Sequence, residues 1–219
     1  ESVNELREAT KLSVSGGIPR YEDISDKEYV LVASKSPRHP TTEAFRGLRT
    51  NLQYLLNREG QNTILVSSMH PGEGKTFTAT NMAALLAQAD RTTLLIDFDL
   101  HKPRVHKAVD LTRCIGLSGY LIGKSSWKDA IQKTEFPGLD VITSGPIPPN
   151  ASELTLSERV EILIEEARKE YDFVVIDTPT ILLITDALVL MKHVDRALLV
   201  ANVKRANVRG MRQLEELLG

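Results

Sequence analysis

A lysine and a threonine follow two closely spaced glycines in His70-Pro71-Gly72-Glu73-Gly74-Lys75-Thr76. Glycines let a backbone turn with positive φ and approach an anion without a Cβ clash. Successive N–H groups in such a turn, ahead of a helix, form a concave anion site. The Lys75 ammonium can then reach the β- and γ-phosphates of a nucleotide, and the Thr76 hydroxyl can bind Mg²⁺. The pattern predicts that residues from Pro71 to Phe77 bind a nucleotide; the alternative is a glycine-rich turn that caps an ordinary helix.

Carboxylates follow two other apolar runs of the chain. Asp97 and Asp99 end the run that starts at Thr92, and Asp177 follows Phe173-Val174-Val175-Ile176. Ligands of a parallel sheet lie outside the carboxyl ends of its strands, so these side chains are expected to meet the glycine-rich loop. There they could hold Mg²⁺ directly or through water, and Asp97 or Asp99 could accept a proton from an incoming hydroxyl. Taken singly, each aspartate could equally be a turn or N-cap residue.

The elements that position these residues alternate along the chain. Apolar runs of about five residues alternate with helical patterns, which predicts an α/β fold with a parallel sheet and helices on both faces. The predicted strands are residues 63–67, 92–98, 139–143, 172–177 and 197–202, with a further short strand at 12–18. The predicted helices include 74–89, two short ones within 116–133, one from Ser152 to Lys169, and one from 207 onwards.

A further helix is predicted ahead of the loop, capped by Thr41 or Thr42 and ending near Gly60. Its apolar residues recur at helical spacing, whereas Glu43, Arg46 and Arg49 lie on a different arc of the same helix. A solvated face with local i,i+3 pairing would account for these three charges.

Composition limits the class of protein. With 219 residues, 42% hydrophobic and 26% charged, the sequence fits one domain, with or without an appendage. The net charge of −2 provides no global basic field, so nucleic acid is not expected as a partner. A single cysteine, Cys114, suits a reducing compartment. Because the sequence starts at Glu1 and stops where another helix-to-strand turn would be natural, it is expected to be a piece of something longer.

Several separate stretches together resemble a known family. They are Ser68 to Thr76, Leu94 to Asp99, Val174 to Pro179, Glu43-Ala44-Phe45-Arg46-Gly47-Leu48-Arg49, Gly116 to Leu121, and Gly145 to Leu154. In order and spacing they resemble the cytoplasmic kinase domain of the bacterial tyrosine kinases that regulate capsule and exopolysaccharide assembly. The first three are similar to the Walker A, Walker A′ and Walker B motifs of the wider P-loop superfamily that includes the MinD and ParA-like ATPases.

The resemblance implies a MinD/ParA-like fold and a role for each matched residue. Lys75 and Thr76 would bind Mg-ATP, Thr76, Asp99 and Asp177 would hold the metal, and Asp97 would activate a tyrosine hydroxyl. The catalytic set would thus be Asp97, Asp99 and Lys75, and Glu43, Arg46 and Arg49 would contact a neighbouring subunit in a ring.

The same resemblance implies an arrangement of segments and partners. Residues 1–38 would be a juxtamembrane segment of an inner-membrane protein, and residues 39–219 the soluble kinase domain. The partners would be the tyrosine-rich tail of a sister chain, phosphorylated in trans, and a tyrosine phosphatase.

Some positions depart from the family pattern. His101 stands where relatives carry arginine, Thr180 and Ala151 each replace a proline, and no tyrosine cluster follows the last helix. Two other functions therefore stay open. One is a MinD/ParA-like ATPase that uses water, although His70 stands where those proteins carry a second lysine. The other is a scaffold whose assembly is gated by nucleotide.

Overall fold

The computed structural model describes residues 3–21, 31–32, 36–56, 60–205 and 208–218. The elements, in chain order, are α1 (Val3–Ala9), α2 (Pro40–Leu55), β1 (Thr63–Ser68), α3 (Lys75–Ala87), β2 (Thr93–Asp97), α4 (Val105–Ala108), α5 (Gly116–Leu121), β3 (Ile131–Lys133), β4 (Leu139–Ile142), α6 (Ala151–Thr155), α7 (Glu158–Glu170), β5 (Phe173–Asp177), α8 (Asp186–Met191), β6 (Arg196–Val200) and α9 (Val208–Leu218).

The strands form one sheet of order β3-β4-β2-β5-β1-β6. The pairs among β4, β2, β5, β1 and β6 are parallel, so the predicted α/β class is confirmed. β3 is the exception, because it pairs antiparallel with the edge of β4. The prediction of a second short helix in 116–133 was wrong here, since the open edge of β4 offers residues 131–133 a ladder that the local sequence pattern does not reveal.

Buried side chains cover both faces of the sheet. Alternate residues of β1 point to opposite faces, so Ile64 and Val66 pack with α2 and α3 whereas Leu65 packs on the side of α7. On the first side the core includes Phe45, Leu48, Leu52, Met82 and Leu85, and on the second side it includes Leu94, Ile96, Val160, Leu163 and Ile164. Helices therefore cover both faces, as predicted from the uninterrupted apolar strands.

Three boundaries differ from the sequence predictions. The stretch 152–169 is not one helix, because the Ser157 side chain accepts a hydrogen bond from the Arg159 N–H and starts a new one, α7. The N-cap of α2 is His39, whose Nδ1 accepts from the Thr41 N–H at 3.1 Å. Residues 12–18 form no strand: the Ser15 carbonyl accepts from Asn51 of α2, and Leu12 packs against the cluster that includes Met211 and Leu214 of α9.

Parallel pairing brings the carboxyl ends of β1, β2, β5 and β6 together at one end of the sheet, the end at which these strands finish. The register places Asp97 of β2 directly opposite Asp177 of β5, and Val66 of β1 opposite Asp177 on its other side. The loop that follows β1 therefore opens beside both aspartates. Among the helices within the described ranges, none has the length and apolarity needed to cross a bilayer.

Candidate active site

The loop between β1 and α3 leaves the start of the helix open. Gly72 and Gly74 have φ values of +79° and +94°, and Gly74 occupies the N-cap of α3 without a side-chain hydrogen bond to cap it. A Cβ built on Gly74 would meet no heavy atom within 4 Å. The first N–H groups of the helix thus face open space at the positive end of its dipole, which is the geometry that binds phosphate.

The side chains of this loop do different things from one another. The buried carboxylate of Glu73 accepts from the His70 N–H at 2.8 Å and the Asn202 N–H at 3.3 Å, so it braces the loop against the end of β6. Pro71 accepts from Arg205 through its carbonyl. The ring of Phe77 packs 5.7 Å from that of Phe45. The side chains of Glu73 and Phe77 are thus engaged within the fold, so these two residues would bind ATP through their backbone N–H groups. Pro71 has no N–H to donate, and its role at the nucleotide stays a prediction.

Lysine, threonine and three aspartates meet at the edge of the sheet. The Lys75 Nζ lies 2.7 Å from Asp99 Oδ2 and 4.0 Å from Asp177 Oδ1. The Thr76 hydroxyl donates to Asp177 Oδ2 at 2.6 Å. Asp97 Oδ1 accepts from the Asp99 N–H at 3.3 Å. Three segments distant in sequence thus converge within hydrogen-bonding reach, as the strand-end argument predicts.

The electrostatics of this cluster are unbalanced, because three buried carboxylates face one ammonium. Burial lowers the pKa of Lys75, but the charges of Asp177, Asp99 and Asp97 outweigh that effect and raise it. Burial and the charges of Asp177 and Asp99 raise the pKa of Asp97 well above its usual value. Burial raises the pKa of Asp177 to about 6 despite Lys75 and Thr76. The pKa of Asp99 is lowered instead. Burial alone would raise it, but the charge of Lys75 and hydrogen bonds from Lys75 and from backbone N–H groups outweigh that effect.

These residues fit a divalent cation. Asp177 Oδ1 is buried and has no hydrogen-bond partner, and a buried carboxylate oxygen needs one or a cation. Both oxygens of Asp99 are engaged, Oδ2 by Lys75 and Oδ1 by the Lys102 N–H at 2.9 Å. Oxygen ligands of this kind are what Mg²⁺ prefers. Asp177 and the Thr76 hydroxyl are therefore better placed to bind the metal than Asp99.

The sequence did not predict a contact between His101, which follows Asp99 closely, and Asp186. His101 Nε2 lies 3.1 Å from Asp186 Oδ2, and the same oxygen lies 3.4 Å from the Thr155 hydroxyl. Asp186 is buried and is the first residue of α8. Its position at a helix start is a sequence signal, but nothing local indicates that its partner follows β2. His101, which departs from the family pattern, thus connects the segment after β2 to the start of α8.

The charged residues of α2 lie outside this cluster. Glu43 forms an ion pair with Arg46 along the helix surface, and both side chains are substantially exposed. Arg49 instead donates to the Leu85 carbonyl at 3.1 Å, near the end of α3 far from the glycine-rich loop. The structure therefore does not bring these three residues to the active site of their own chain, and their role between subunits stays a prediction.

Comparison with known proteins agrees with the geometry. A family described as an AAA domain matches residues 61–218. The tyrosine-protein kinase YwqD of Bacillus subtilis is 41% identical over 170 residues, which are 78% of this chain and 72% of that protein. The tyrosine-protein kinase etk of Escherichia coli K12 is 37% identical over 87% of this chain. The chain spans only 27% of the length of that relative.

Solved structures give the same result. The kinase domain of the Escherichia coli tyrosine kinase ETK superposes with a TM-score of 0.89 and 34% identity, covering 99% of this chain and 90% of that one. The septum site-determining protein MinD of Pyrococcus horikoshii, solved with Mg-ADP, superposes with a TM-score of 0.62 and 24% sequence identity. The match covers 72% of this chain and 65% of that one, and it shows a likeness of fold alone. On these matches, the chain belongs to the family of bacterial tyrosine-protein kinases, built on an AAA-type nucleotide-binding domain.

Proposed function

We propose that this domain is a protein-tyrosine kinase that transfers the γ-phosphoryl group of Mg-ATP to a tyrosine of a sister chain. The observation that carries the proposal is the convergence of Lys75, Thr76, Asp97, Asp99 and Asp177 beside an open helix start. The names of relatives such as YwqD support the choice of tyrosine as acceptor.

Each residue of the cluster has a task in this reaction. The N–H groups at the start of α3 and the Lys75 ammonium hold the phosphates, and Thr76 with Asp177 holds the metal. Bound Mg²⁺ neutralises charge on the phosphate oxygens during transfer. Asp97 accepts the proton of the incoming tyrosine hydroxyl. Asp99 keeps Lys75 in place through its 2.7 Å ion pair.

The setting of the reaction is part of the proposal. The described tyrosines Tyr21, Tyr120 and Tyr171 donate or share their hydroxyls within the fold, and Tyr54 lies on α2 near the first residue of β6, at the amino edge of the sheet. None of these four is presented to the cluster of its own chain. Transfer between chains, in a ring assembled through α2 at a membrane that handles capsular polysaccharide, would bring an acceptor tyrosine to the cluster.

Substitution of Lys75 by methionine tests the proposal. Lys75→Met is expected to abolish binding of Mg-ATP, measured by calorimetry, and phosphorylation of a tyrosine-rich peptide, measured with labelled ATP. Lys124→Met is the matched control, because Lys124 is exposed and forms no ion pair within the described ranges. Wild-type phosphorylation rates in Lys75→Met would refute the site. Hydrolysis of ATP by the wild type without any transfer to tyrosine would instead favour a MinD-like ATPase.

A further inference from the structure

The segment that leaves β2 wraps around the two aspartates that end this strand. The Lys102 N–H donates to Asp99 Oδ1 at 2.9 Å, and the Val105 N–H lies 3.3 Å from Asp97 Oδ2. The first part of the segment 100–113, at Lys102 and Val105, therefore lies beside the group proposed to receive the tyrosine proton. A peptide whose tyrosine is phosphorylated here would bind close to this segment.

The segment of residues 100–113 is strongly basic, although the whole chain has a net negative charge. Residues 100–113 contain four basic side chains, Lys102, Arg104, Lys107 and Arg113, against one carboxylate, Asp110, a net charge of +3 where the whole chain has −2. Lys102 and Lys107 are exposed, and Arg113 is partly exposed.

Three of these cations, Lys102, Lys107 and Arg113, are here named the basic rim. Within the described ranges none of the three forms an ion pair, whereas the exposed Lys128, Lys133 and Lys169 each do. Burial lowers the pKa of His106, and the charges of Arg113 and Lys107 lower it further. The rim is thus a patch of positive charge without internal neutralisation.

We propose that the basic rim binds carboxylate side chains that flank the acceptor tyrosine, so that the preferred substrate is a tyrosine in an acidic sequence. This inference rests on the proposed kinase function. An acidic peptide would be repelled by Asp97, Asp99 and Asp177. Cations carried by the segment whose backbone contacts Asp97 and Asp99 would offset that repulsion. A peptide is favoured over a membrane surface as the partner, because the backbone of the same segment contacts Asp99 and Asp97, where the proposed acceptor tyrosine has to bind.

Two peptides test the proposal on the full chain with Mg-ATP. One carries two glutamates on each side of a single tyrosine, and the other carries glutamines at the same positions. The rim variant is Lys102→Gln with Lys107→Gln. The control is Lys128→Gln with Lys169→Gln, which changes the charge equally at the opposite edge of the sheet, since Lys128 pairs with Glu170 at the end of α7, just before β5 begins.

In the wild type, kcat/KM is expected to be higher for the glutamate peptide than for the glutamine peptide. In the rim variant, this ratio of the two kcat/KM values is expected to fall by about 2- to 5-fold for each lysine removed, as for exposed ion pairs. The control is expected to keep the wild-type preference, and 0.5 M salt is expected to weaken it through screening.

Other outcomes would overturn the proposal that the basic rim binds an acidic peptide. No preference in the wild type would do so, as would an equal loss in rim and control variants. A raised KM for ATP with both peptides would assign the rim to the nucleotide. Loss of binding to vesicles rich in anionic lipid, with the peptide preference intact, would assign it to a membrane. If ATP is hydrolysed and neither peptide is phosphorylated, the proposed kinase function itself fails, and the rim proposal falls with it.

Discussion

Replacement of Asp177 by asparagine is expected to stabilise the metal-free protein. Asp177 is fully buried, its Oδ1 lacks a partner, and its pKa is raised from 3.8 to about 6. Each pKa unit corresponds to about 1.4 kcal/mol, so the charged carboxylate costs at most about 3 kcal/mol above pH 6. Asparagine keeps the acceptor for the Thr76 hydroxyl, but turns an amide N–H₂ towards Lys75, 4.0 Å away. A net gain of about 2 kcal/mol at pH 8 is therefore expected.

The pH dependence of this gain follows from the direction of the shift. Between pH 3.8 and about 6 the folded state of the wild type binds more protons than the unfolded state, so its stability falls as the pH rises through that window. Asp177→Asn lacks this loss. The difference between the two proteins should therefore be near zero at pH 4, grow between pH 4 and 6, and stay constant above.

Urea unfolding in EDTA at pH 4, 5, 6 and 8 measures this difference. Asp172→Asn is a control of opposite sign, because hydrogen bonds from Thr92 lower the pKa of Asp172 despite some burial, so its loss should destabilise the protein at pH 8. With Mg-ATP the order should reverse, since only the wild type gains stability by binding. An Asp177→Asn protein no more stable than the wild type at pH 8, or a difference independent of pH, would refute the account of the buried charge.

Three further predictions concern other parts of the fold. Arg46→Ala with Arg49→Ala is expected to give monomers in light scattering with nucleotide affinity retained, and an unchanged particle size would return these residues to the solvated-face interpretation. Gly116→Ala is expected to cost about 2 kcal/mol or more in urea unfolding, because a Cβ there would lie 2.3 Å from the Gly145 nitrogen; wild-type stability would show that the two loops do not meet. Ser157→Ala is expected to lower the melting temperature through loss of about 1 kcal/mol of N-cap stabilisation, and an unshifted transition would argue against the cap.

Much of the site was predictable because its signals are local. A glycine-rich turn between an apolar strand and a helix, and aspartates directly after apolar strands, are patterns within a few residues of one another. The parallel arrangement then follows from alternation of strands and helices, and it places Lys75, Asp97 and Asp177 at one edge. The uninterrupted burial of β1, β2 and β4 likewise agrees with helices on both faces.

The errors lie where a partner distant in sequence decides the outcome. Residues 131–133 become a strand only because β4 has an open edge. The break between α6 and α7 is a different case, because the N-cap at Ser157 is a local signal that competes with a continuous helical pattern. The binding of nucleotide by Glu73 and Phe77 stays a prediction. Nothing local in the sequence indicates that their side chains contact Asn202 and Phe45.

The sequence by itself determined the chemical groups of this protein and the edge of the sheet at which they gather. Only the tertiary structure decided which of those groups pair with one another. Lys75 pairs with Asp99 and His101 with Asp186, and one oxygen of Asp177 has no hydrogen-bond donor. The physical reason is that strand and helix periodicity acts between neighbours along the chain. Pairing among buried charges instead depends on strand register and on the path of each loop.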